Sequence, residues 1–89
     1  MSRKAAIYVA EQLERLMALP LASEAEAEVW YSECSKVQTA LEKQFPDFEP
    51  EHELWHFFND AGIRARDAAY KDYQHRLMSG YVKRLRAIS

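Results

Sequence analysis

Apolar positions recur at three- and four-residue steps along most of this chain, and that period predicts helices. Over about residues 2–19, Ala6, Ile7, Ala10, Leu13, Leu16 and Met17 fall on one stripe, with Ser2 placed to cap it and Pro20 just beyond its end. Arg3 and Lys4 in its first turn oppose the helix dipole. A second stripe, Trp30, Cys34, Val37, Leu41 and Phe45, follows Ser23 and Glu26. Those two residues form an S-x-x-E capping box, in which hydroxyl and carboxylate satisfy two free backbone donors. Pro46 ends this helix. Pro50 suits the first position of a third, short helix, where Glu51 and Glu53 complement the positive end and Leu54, Trp55, Phe57 and Phe58 supply an apolar face. Its end is predicted near Asp60 to Gly62. Asp67 reads as the cap of a last helix over about 68–87, with Tyr70, Tyr73, Leu77, Tyr81, Leu85 and Ile88 as its buried stripe. Lys83, Arg84 and Arg86 match the negative end of that helix.

The chain has no alternating stretch longer than four residues, no hairpin dipeptide and no internal repeat. The expectation is a single all-α domain across residues 1–89, a small helical bundle of three long helices plus one short helix. The first two helices should be antiparallel neighbours across the Pro20 link. Gly80 sits inside the last periodic run, where glycine is less favourable than alanine by ~1 kcal/mol. Close packing against it is the expected reason.

Size and composition restrict the function classes. A chain of 89 residues buries only ~60–65% of the surface its unfolded form exposes, which leaves little core for an enclosed substrate cavity. No apolar run approaches the ~20 residues of a membrane helix. Nothing near the first residues resembles the apolar block of a secretory signal. The single cysteine, Cys34, makes neither an internal disulfide nor a cysteine zinc cage and lies on an apolar stripe, as a packed thiol does. A cytoplasmic setting and no cofactor are therefore expected.

Charge is distributed unevenly. From Glu11 to Glu53 there are eleven acidic and three basic side chains, a local balance of −8, and from Arg64 to Arg86 seven basic and two acidic, a balance of +5. Neutralisation between the two halves is one expectation. An acidic surface that includes Glu24, Glu26 and Glu28 and steers a basic partner is the other. Arg76, Lys83 and Arg86 lie away from the tyrosine stripe, but Asp72 sits among them and no nucleic-acid reader signature occurs, so nucleic acid is an unfavoured partner.

Residues 52–56 read His-Glu-Leu-Trp-His. This H-E-x-x-H segment resembles the metal-binding helix of the zincin peptidases. The resemblance covers five residues, and it implies His52 and His56 as zinc ligands with Glu53 as the base that deprotonates metal-bound water. A catalytic zinc takes a third protein ligand. No glutamate follows Glu53, as the gluzincin pattern would require, and the metzincin glycine and histidine are replaced by Asn59 and Gly62. On a helical wheel Leu54, Phe57 and Phe58 turn inward, Trp55 lies at the edge of that arc, and His52, His56 and Asn59 face away.

The function these features favour is a non-enzymatic protein-interaction module, one that binds a macromolecular partner through an acidic and aromatic surface. Trp55 is the favoured anchor, since aromatics dominate binding hot spots. The segment Gly62–Asp67 reads as a connector that tucks Ile63 into the bundle and lets Arg64 and Arg66 cap the preceding helix; the other reading makes Ile63, Arg64 and Arg66 further partner contacts. Self-association through the aromatic face, and a zinc-binding protein or minimal metallohydrolase at His52 and His56, are the other expectations.

Overall fold

A computed structural model describes residues 2–88. Among them are five helices: α1 (Arg3–Ala18), α2 (Glu24–Gln44), α3 (His52–Asn59), α4 (Ala61–Arg66) and α5 (Ala68–Ile88). No strand occurs among the described residues. The all-α reading holds, while the count of three long helices and one short one is corrected. The stretch expected to be a connector after Asp60 is helical, so two short helices stand between α2 and α5.

The caps read from the sequence form. Ser2 Oγ accepts from the Ala5 amide at 3.1 Å, Ser23 Oγ from the Glu26 amide at 3.2 Å, and Asp67 Oδ1 from the Tyr70 amide at 3.0 Å. The Glu26 carboxylate reaches one residue further back than a capping box requires and accepts from the Ala22 amide at 2.7 Å. α2 stops at Gln44, ahead of Pro46, and its last turn is closed by the Phe45 amide on Leu41 O.

α1 and α5 pack along their length, and alanine makes the approach close: Ala6 and Ala10 are fully buried with Val9, Leu13 and Leu16. α2 lies against the end of α1, where Trp30 Nε1 donates to Leu16 O at 3.0 Å. α3 and α4 close the remaining side, with Leu54, Phe57, Phe58 and Ala61 buried between α2 and α5.

The inward face of α5 differs from the expected stripe. Gln74, Met78, Tyr81, Val82 and Leu85 are buried, whereas Tyr73 and Ile88 are about half exposed. The helix is rotated so that a polar residue, Gln74, takes an interior place, for a reason that lies in α4. Gly80 also departs from expectation. A β-carbon there would meet nothing nearer than the flexible tip of Arg84, at 3.8 Å.

Candidate functional site

α3 is amphipathic over two turns. Its inner residues fill the core, and its outer face carries His52, Trp55, His56 and Asn59 at helical spacing. Trp55 is 53% exposed. Its ring stands edge-on to His56 at 5.2 Å between centroids, and His56 stands edge-on to His52 at 4.3 Å. The Nε2 atoms of the two histidines are 3.0 Å apart. The other nitrogen of His56, Nδ1, faces Asp60 Oδ2 at 3.7 Å. Which ring donates across the Nε2 pair depends on the tautomers; with the Nδ1 proton of His56 turned toward Asp60, a charge contact longer than a hydrogen bond, His56 Nε2 accepts from His52.

Asp60 occupies the N-cap position of α4, yet its side chain makes no capping bond. Its Oδ2 is committed elsewhere, accepting from the Tyr70 hydroxyl at 2.6 Å and from Gln74 Nε2 at 3.2 Å. The Tyr70 oxygen in turn accepts from Gln74 Nε2 at 2.9 Å. Hydrogen bonding to Asp60 pushes the Tyr70 hydroxyl up to about 12. Gln74 Oε1 then receives Arg64 Nη1 at 2.6 Å. A continuous polar chain thus runs from the outer face of α3 through Asp60 and Gln74 to Arg64.

Arg64 is 1% exposed, which corrects its reading as a surface contact and agrees with the reading in which it caps the preceding helix. Its guanidinium lies over the rings of Trp30 and Phe57, 4.6 and 4.2 Å from their centroids. Nη1 also donates to Phe57 O at 2.8 Å, capping the last turn of α3, while Nε and Nη2 find no hydrogen-bond partner among the described residues. Burial lowers its pKa to about 10, with Tyr31 and Asp60 opposing the shift, so the side chain keeps its charge at neutral pH. Arg64 lies three residues after buried Ala61 and seven after buried Phe57, the spacing of one helical face, so it is carried to the interior side with them.

The other candidate residues are distributed as follows. Ile63 is 41% exposed and Arg66 is exposed. Glu24 and Glu28 are exposed and have no cationic side chain within 4 Å among the described residues, whereas Glu26 is half-buried and engaged by Ala22. Tyr31, one turn beyond Glu28, ties this face of α2 to α3 and α4: its hydroxyl donates to Asn59 O and accepts from the Gly62 amide, both at 2.9 Å. Glu24, Glu28 and Tyr31 therefore lead toward the helix that carries Trp55. Elsewhere the halves of the chain do neutralise each other. Arg84 lies 3.9 Å from Glu51 and 3.8 Å from Glu53, and Arg86 pairs with Glu14.

Glu53, the base in the zincin resemblance, thus faces Arg84 across to α5. No group of three or more histidine, cysteine, aspartate or glutamate side chains is placed to hold a metal ion among the described residues. The residues present do not fit a three-ligand catalytic zinc. Cys34 is 1% exposed and burial pushes its thiol up to about 12, the state of an inert packed thiol. His75, half-buried at 6.3 Å from the Phe57 ring, is held below the usual imidazole range by burial and by the charge of Arg64.

Asp60 and Gln74 are the residues that sequence reasoning missed as part of a site. The four-residue step from His56 to Asp60 was a signal for the first, and the second had none. No helix among the described residues is long and apolar enough to cross a membrane. Comparisons of the chain with protein-family models, with curated proteins and with solved structures found no match.

Proposed function

We propose that this chain is a non-enzymatic interaction module of the cytoplasm whose contact face is the outer surface of α3 and α4 together with the start of α2. The exposed indole of Trp55 carries the reading. Leu54, Phe57 and Phe58 on the same helix are buried, and Trp55 is left 53% exposed against His56. An aromatic side chain held by a neighbour loses little freedom on docking, which suits it to an anchor. Ile63 adds apolar surface on α4, and the unpaired Glu24 and Glu28 favour a partner with a basic surface.

Two other readings have less support. Nucleic-acid contact through α5 would draw on Arg76, Lys83 and Arg86, of which Arg86 already pairs with Glu14 of α1. A metallohydrolase would need Glu53 free to act as a base, and that carboxylate faces Arg84.

Affinity capture from the native host tests the proposal, using wild type, Trp55→Ala and the double reversal Glu24→Lys/Glu28→Lys. Each variant should keep wild-type helicity and lose the basic partner. Equal recovery of the same proteins by all three would remove this face from the function. Sedimentation of wild type and Trp55→Ala distinguishes a second copy of the chain as the occupant.

A further inference from the structure

The Nε2 atoms of His52 and His56 lie 3.0 Å apart on the outer face of α3. Two nitrogens at that separation can bind one ion. With bonds of about 2.0–2.1 Å they subtend an angle of roughly 94° at the metal, near the cis angle of square-planar or octahedral coordination and below that of a tetrahedron. Imidazole is a good donor to the later first-row divalent ions. The second observation lies behind His56. Its Nδ1 faces the Asp60 carboxylate at 3.7 Å, and that carboxylate is fixed by Tyr70 and Gln74, the latter held in turn by buried Arg64. A carboxylate on the far nitrogen of a ligating histidine sets its tautomer and orientation and strengthens it as a donor. Asp60 is at an N-cap position and does not cap, so its commitment to this arrangement is at the expense of the usual local bond.

We infer that His52 and His56 chelate one borderline divalent transition-metal ion, copper(II) or nickel(II) ahead of zinc, with Asp60 as the residue that orients His56. The site differs from that of the zincins. It has two protein donors, its remaining positions are open to water, and Glu53 takes no part. Binding requires only that His52 move its proton from Nε2 to Nδ1, on a ring that is exposed to solvent.

Titration calorimetry with copper(II) and with nickel(II), on the full chain in a non-coordinating buffer, tests this. One ion per chain is expected. His52→Gln and His56→Gln, both at the surface, should each weaken binding more than tenfold, and His75→Gln should leave it unchanged. Asp60→Asn keeps both imidazoles and should weaken binding about tenfold, with its helicity checked by circular dichroism. Because Asp60→Asn disturbs a partly buried network, a second readout uses unaltered protein. The copper(II) electron paramagnetic resonance spectrum should show two equivalent nitrogen donors, reduced to one in His52→Gln. Binding by His52→Gln equal to wild type, a folded Asp60→Asn that binds as wild type does, or a spectrum with a single nitrogen would each overturn the inference.

Discussion

Arg64 is the residue on which the α3–α4 corner depends, and two substitutions separate its charge from its bulk. Burial lowers its pKa from 12.5 to about 10, which corresponds to about 3 kcal/mol working against the charged side chain in the folded state. Opposing this are two hydrogen bonds from Nη1, to Phe57 O and Gln74 Oε1, each contributing roughly 1.5–3 kcal/mol because the donor is charged. The faces of Trp30 and Phe57 contribute about 2 kcal/mol more. Arg64→Met keeps most of the volume between the rings and removes both the charge and its bonds. The balance of these figures predicts a loss of about 2–5 kcal/mol. Arg64→Ala has the same polar losses and also leaves a cavity, which adds ~2 kcal/mol or more. Urea unfolding followed by circular dichroism should place the alanine variant at least ~2 kcal/mol below the methionine variant. In the double variant Arg64→Met/Gln74→Leu the amide no longer lacks its partner, and a favourable coupling of about 1 kcal/mol should appear. Equal losses for alanine and methionine, with no coupling to Gln74, would refute the sandwich and the network together.

Three further outcomes are expected. Gly80→Ala should raise stability by about 1 kcal/mol, because α5 gains a better helix former and the new methyl meets only the tip of Arg84; a thermal melt reads it, and a lowered midpoint would show crowding. His75 titrates below its usual range in the folded chain, so the unfolded chain binds its proton more readily. Its contribution to stability is complete above about pH 6.5 and declines as pH falls toward the folded pKa; His75→Gln should flatten the urea midpoint between pH 7 and that lower region. Cys34 should resist thiol reagents at pH 8 in the native protein and react promptly in urea, since burial both covers it and raises its pKa to about 12.

Much of the fold was legible because it is written locally. Ser2, Ser23 and Asp67 cap helices within three residues of themselves, Pro46 ends α2, and Trp30, Cys34, Val37 and Leu41 repeat at a helical period on a single buried stripe. What was not legible depends on partners distant in the chain. Arg64 reads as a surface residue unless Trp30, Phe57 and Gln74 are known to surround it. Its burial then draws Gln74 inward and moves Tyr73 out of the core of α5. The end of α3 near Asp60 was legible; hidden were the helix that follows it and the turn of the Asp60 carboxylate to Tyr70 and Gln74. At the site the histidine pair was visible as one outward face with Trp55 at the edge of the apolar arc, and the carboxylate behind them was not singled out.

The two tryptophans lie in opposite surroundings. Trp30 is sealed in the interior with a cation above its ring, and Trp55 stands in solvent beside His56. The chain therefore carries two built-in fluorophores with separable emission. Phenylalanine at position 55 leaves an optical gauge of the interior, phenylalanine at position 30 leaves one for the outer face, and unfolding and surface docking can be followed on the same molecule without attaching a dye.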